Sequence, residues 1–92
     1  MSEPIAKFSL GQTVATANVL SVIPDDEILL ALSRHVRCDW GTLDKEDLDA
    51  NERALKNGGR LFSRYITNAK IVFWIITEHD RSVTTILLPE DY

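Results

Sequence analysis

Few residues in this chain have the means to do chemistry. His35, Glu78, Arg60 and Arg81 are the ones whose types match a reaction. Cleavage of RNA by its own 2′-hydroxyl needs a general base, a general acid and cations on the phosphate. His35 or Glu78 as base, with Arg60 and Arg81 on the phosphate, would supply those roles. Asp39, Ser63, Tyr65 and Thr85 complete the polar set. The structural alternative is that His35 interacts with a helix C-terminus and Arg81 pairs with Glu78 across a hairpin, since ordinary ion pairs also place charged groups together. No complete catalytic motif runs through these residues, so the leading expectation is a protein with no catalytic residues.

A binding site is the other use of the same region. Asp39-Trp40-Gly41 would offer a tryptophan to a ligand or base, with Ser63, Tyr65 and Arg81 as polar neighbours. Equally, Trp40 would plug the gap between helices and sheet, because aromatic side chains dominate small cores. Cys38 lies at a helix end that raises rather than lowers a thiol pKa, which disfavours a nucleophile. Thr84 and Thr85 point to opposite faces of a strand and cannot both line one site. The acids between Asp44 and Asp49 suit a helix start more simply than mimicry of DNA phosphates.

Those residues need a scaffold, and 92 residues make one domain, 1–92. With 45% hydrophobic and 26% charged residues, the composition is that of a folding chain rather than a linker. Ten Lys and Arg against 14 Asp and Glu give a net charge of -4, which opposes extensive coating of duplex nucleic acid. One cysteine makes no internal disulfide and no zinc cluster, pointing to the cytoplasm, with no metal and no cofactor. Neither a leader nor an apolar run approaching the ~20 residues of a spanning helix is evident.

The element pattern is α+β: two main helices packed on a three- to four-stranded, predominantly antiparallel sheet. Residues 7–14 read as a weak strand, and Thr16 caps a short helix over 17–22 or the strand continues. Pro24-Asp25-Asp26-Glu27 starts a helix whose apolar stripe is Ile28, Leu29, Leu32 and Val36, and a second helix spans about 44–57 before Gly58-Gly59. Leu48, Ala50, Ala54 and Leu55 are its apolar contacts. From Arg60 the period changes, and three strands follow at about 60–67, 70–78 and 82–88. Pairing Thr67 with Lys70 sets Phe62 against Ile75, Ser63 against Trp74, Tyr65 against Val72 and Arg60 against Thr77. Both sheet faces are then apolar. One packs under the helices, and the other needs the N-terminal segment or a partner to cover Trp74, Ile76 and Leu87.

Arg34-His35, Asp39-Trp40-Gly41, Gly59-Arg60, Trp74-Ile75-Ile76-Thr77-Glu78, Asp80-Arg81-Ser82 and Leu88-Pro89-Glu90-Asp91-Tyr92 are among the residues that carry a resemblance. Across nearly its whole length the chain resembles a family of small bacterial proteins often labelled plasmid-related, or loosely type I restriction subunit M. The chain departs from the family pattern at Cys38, where glycine is usual, and at Ala17-Asn18, where Pro-Gly is usual. What the resemblance implies is a bacterial cytoplasmic protein associated with plasmids or other mobile elements. Two functions are carried forward: a non-enzymatic accessory protein that meets a protein partner or another copy of itself, and an RNA-cleaving or RNA-binding toxin-like domain of barnase or RelE type.

Overall fold

The computed structural model describes residues 6–92. Strand β1 (Gln12–Ala15) leads into helix α1 (Ala17–Val22), followed by α2 (Asp25–His35) and α3 (Lys45–Asn57). Strands β2 (Leu61–Ile66), β3 (Val72–Thr77) and β4 (Val83–Leu87) and a short 3-10 turn at Pro89–Asp91 complete the order. The strands form one sheet in the order β1-β4-β3-β2. β2–β3 and β3–β4 are antiparallel, while β1 runs parallel to β4. The α+β class and the mainly antiparallel sheet expected from the sequence are present. The first strand is shorter and later than residues 7–14. No helix among the described residues is long and apolar enough to cross a membrane.

Helix ends follow local chemistry. The Thr16 hydroxyl accepts from the Val19 amide at 3.1 Å and donates to Asp91 at 2.7 Å, so one side chain caps α1 and ties it to the C-terminal turn. Helix α2 has Asp25, Asp26 and Glu27 in its first turn and Arg34 in its last, charges that each face the favourable end of the dipole. Its exit passes through Cys38 in the left-handed conformation, φ 66°, and the Cys38 and Asp39 amides return to the carbonyls of His35 and Arg34. Asp44 caps α3 by accepting from the Asp47 amide at 2.9 Å.

Two sequence expectations about the core require correction. In α2 the buried residues are Ile28, Ala31 and His35, while Leu29 is 67% exposed. At 100° per residue, Leu29 lies a quarter-turn outside a stripe centred between Ala31 and Ile28. In α3 Leu48 and Ala50 face solvent, and the buried contacts are Asn51 and Ala54. The Asn51 amide donates to the Phe62 carbonyl at 2.8 Å and accepts from the Phe62 amide at 3.0 Å. Together with main-chain bonds from Arg64 to Trp40 and from Thr42 to Arg64, it closes the outer edge of β2 much as a further strand would.

The strand register also differs from the expected one, by a single residue. Thr67 pairs across the turn with Ile71 rather than Lys70, because Lys70 takes a left-handed conformation at φ 68° and is absorbed into the loop. Phe62 therefore faces Ile76, Ser63 faces Ile75, Arg64 faces Trp74 and Tyr65 faces Phe73, and Leu61 rather than Arg60 stands opposite Thr77. A one-residue slip exchanges faces. Ser63, Tyr65, Phe73 and Ile75 all turn towards the helices, where the main core joins Tyr65, Phe73, Ile75 and Ile86 to Val19, Ile23, Ile28 and Ala31. A smaller core holds Trp40, Ala54 and Leu61, with Phe8 packed against it.

Two glycines with positive φ separate conformational cost from collision. At Gly58 (φ 78°) an added Cβ meets nothing within 4 Å, whereas at Gly41 (φ 76°) it runs into the Arg64 carbonyl and the Tyr65 ring. Gly58→Ala is expected to cost about 1 kcal/mol from left-handed strain alone. Gly41→Ala should cost clearly more, because it also forces apart the strip of backbone that closes β2. Urea unfolding of the two variants checks this, and equal midpoints would contradict it.

Candidate functional site

His35 ends a helix, yet its ring lies wholly inside the protein, 0% exposed. Its Nδ1 is 2.6 Å from the Ser63 hydroxyl, and its Nε2 is 2.9 Å from the Thr77 hydroxyl. Thr77 in turn lies 2.7 Å from Thr84, whose hydroxyl donates to the Leu10 carbonyl at 2.7 Å. A carbonyl can only accept, so the last bond orients all the others. Thr84 spends its proton on Leu10, Thr77 donates to Thr84, and Nε2–H donates to Thr77. Nδ1 is left bare and accepts from Ser63. The imidazole is therefore neutral with its proton on Nε2, and burial pushes its pKa down to about 4. Phe8 and Trp40 meet its ring edge to face at 5.3 and 5.5 Å. A serine and a histidine this close resemble a nucleophile and its base, but both are closed to any substrate.

The other members of the reactive set lie elsewhere. Thr77 points into the helix-side core, so strand alternation turns Glu78 to the opposite face. Arg60 lies there too, its guanidinium 5.3 Å from the centre of the Tyr92 ring. Arg81 does not pair with the Glu78 carboxylate. It donates to main-chain carbonyls of Gly59 at 2.5 Å, Ala54 at 3.0 Å and Glu78 at 3.1 Å, and so fastens the end of α3 to the β3–β4 turn. The sheet thus separates His35 from Arg60 and Glu78, and Arg81 is occupied by the fold. The four side chains do not converge.

The sequence-derived binding set is also largely structural. Trp40 is 5% exposed and stacks with Phe8 at 6.1 Å. Ser63 belongs to the buried chain above. Tyr65 is buried, and its hydroxyl donates to the Asp39 carbonyl at 2.6 Å; burial raises its pKa to about 12. Asp39 alone is exposed. Its carboxylate accepts from Arg34 at 2.8 Å, which holds its pKa below the usual range, and the same guanidinium stands over the Tyr65 ring at 4.8 Å. This cluster braces the α2–α3 connection against β2. Next to it, a cleft of about 270 Å³ opens between Glu27, Leu30 and Ile66, but the Glu27 carboxylate is already taken by the Asn68 amide at 3.0 Å.

The sheet face away from the helices is different. Phe62, Arg64 and Ile66 of β2, Val72, Trp74 and Ile76 of β3, and Thr85 and Leu87 of β4 share it. Contrary to the sequence expectation, Ile76 and Leu87 are already buried within the chain, at 5% exposure each, while Phe62, Arg64, Val72, Trp74 and Thr85 are partly buried and lie outside both core clusters. Trp74 sits at the centre, perpendicular to Phe62 at 5.2 Å and to Tyr92 at 5.8 Å. Its indole Nε1 is buried without a hydrogen-bond partner. Tyr92 is 71% exposed and Ile66 47% exposed. Beside them a groove of about 540 Å³ runs from Phe62, Arg64 and Trp74 to Asp44 and Asp47 at the start of α3.

The sequence points to Trp74 on this face, whereas Arg64, Phe62 and Tyr92 emerge as its neighbours only from the fold. The available signal was arithmetic: both faces of the sheet are apolar, and the helices cover only one. No protein-family model, curated protein or solved structure matches the chain.

The buried imidazole gives a pH signature. An unfolded His takes up its proton near pH 6.5, whereas the folded one does so only near 4, so the unfolded state binds more protons between those values. Stability is then complete above about pH 6.5, falls by about 3 kcal/mol on acidification to pH 4, and is insensitive to His35 below that. Urea midpoints measured across this window should show the slope in the wild type and lose it in His35→Met. A flat wild-type profile would contradict the neutral buried ring.

Proposed function

We propose that this protein is a small non-enzymatic accessory protein of bacterial mobile genetic elements, working in the cytoplasm, whose activity is to bind a protein through the sheet face away from its helices. The observation carrying this reading is the aromatic group on that face, Phe62 and Trp74 partly exposed and in edge-to-face contact, with the exposed Tyr92 against Trp74 and the exposed Ile66 beside them. Exposed apolar surface gathered into one patch is costly in water and is characteristic of interaction sites. Partly exposed aromatic side chains with arginines beside them, here Arg60 and Arg64, have the composition of interface centres. The link to mobile elements rests on the family resemblance carried by such stretches as Trp74-Ile75-Ile76-Thr77-Glu78 and Leu88-Pro89-Glu90-Asp91-Tyr92. The single cysteine agrees with a reducing compartment.

The RNA-cleaving alternative is less well supported, because it requires His35, Glu78, Arg60 and Arg81 around one phosphate. A fully buried His35 and an Arg81 committed to carbonyls do not offer that. RNA binding without cleavage would use the same aromatic face, where bases stack on exposed rings. Asp44 and Asp47 on the groove and a net charge of -4 oppose a phosphate backbone there.

Site-specific photocrosslinking in a bacterial host tests the reading. With p-benzoylphenylalanine in place of Phe62, a discrete protein adduct is expected. The same group in place of Arg53, exposed on α3, should give none. No adduct from position 62, equal adducts from both positions, or an adduct with RNA alone would overturn it.

A further inference from the structure

Taking the open sheet face as a protein-binding surface, and resting on that reading, we infer that its partner is a second copy of the chain. The two copies pack sheet to sheet about a two-fold axis, so that Arg64 of each meets Asp44 and Asp47 of the partner subunit. The argument begins with charge. The groove carries Arg64 on its β2 side and Asp44 and Asp47 on its α3 side. Among the described residues the ion pairs within 4.0 Å are Arg34–Asp39 and Lys45–Asp49, neither of which involves these three. Among the described residues, both signs of charge at the groove are therefore without an ion-pair partner in the same chain. A partner of uniform charge would be attracted to one flank and repelled by the other. A two-fold axis reverses the patch on itself and matches both flanks at once, as isologous interfaces require.

Layering points the same way. Helices on one side of a sheet leave the other side to be covered, and sheets packed face to face at about 10 Å are a standard solution. Two copies joined in this way give four layers, with the helices outside and Phe62, Ile66, Val72 and Trp74 of both chains between the sheets. Association through the edge of β2 is already closed off by Asn51 and the Trp40–Thr42 backbone.

Light scattering coupled to size exclusion, with charge exchange at Arg64 and Asp47, tests the proposal. Asp44 is left alone because it caps α3. The wild type is expected at twice the 10.4 kDa of one chain. Arg64→Glu and Asp47→Lys alone should each weaken the dimer by about tenfold or more, because like charges then face each other across the axis. The double variant should recover most of that loss, since the opposite pairing is restored between subunits. Far-UV circular dichroism and melting of each variant establish that the fold persists. A wild type that remains at one-chain mass at about 0.5 mM, far above ordinary dimer dissociation constants, overturns the proposal. So does a dimer indifferent to both single changes, which would place the contact elsewhere, for instance at the outer edge of β1. A double variant weaker than either single one overturns it as well. In each case a crosslink from position 62 to a different protein would leave the wider reading standing, whereas no crosslink at all would remove both.

Discussion

Everything on the helix side of the sheet depends on one neutral imidazole. His35 comes from the end of α2, Ser63 from β2, Thr77 from β3 and Thr84 from β4, and the final acceptor is the Leu10 carbonyl before β1. Five segments are fixed relative to one another by four bonds that run in one direction. Removing one donor or acceptor from such a chain leaves a buried neighbour unsatisfied, at a cost of about 1–3 kcal/mol, because each member's remaining bond is set by its neighbour's. Its specificity exceeds that of the apolar contacts around it, which accept many shapes of similar volume. This explains why a domain of 92 residues places so many hydroxyls where aliphatic side chains would pack as well.

The sequence announced its helices because their signals are local. Proline and acids at 24–27, the acids of α3 and the glycine after Asn57 act within one or two turns, and the observed ends fall there. It also announced three consecutive strands after Arg60 and a fourth before Thr16. The register stayed hidden, since it turned on whether Lys70, a residue with no special liking for the left-handed region, would adopt it. The candidate site was harder still. His35, Ser63 and Tyr65 carry functional groups, and composition alone does not distinguish a polar group held for catalysis from one satisfied inside a core. The exchange of faces caused by the register took Ser63 away from Trp74 and placed it beside His35 on the helix side.

The two borders of the sheet are treated in opposite ways. At β2 an asparagine and a short length of backbone occupy the outward amides and carbonyls. At β1 the residues Gln12 to Val14 are exposed, and the strand is protected mainly by being only four residues long. The open face between these borders concentrates the aromatic rings. It is bounded at one end by Tyr92, held under Arg60, and at the other by the acids of α3. In the proposed binding role, a surface so bounded would favour a partner of definite size over indiscriminate sticking.

The parallel pairing of β1 with β4 carries a consequence for synthesis on the ribosome. Thr16 and Asp91, 75 positions apart, share a hydrogen bond, as do Leu10 and Thr84, 74 positions apart. While α1 and α2 emerge, the floor they must pack upon has yet to be translated, and short helices hold little structure without one. The nascent chain is therefore expected to stay largely unfolded until β4 has cleared the exit tunnel, and then to fold in a single late event limited by closure of that long loop. During that interval the apolar strands are exposed to chaperones, and pausing of translation within β3 or β4 would prolong it.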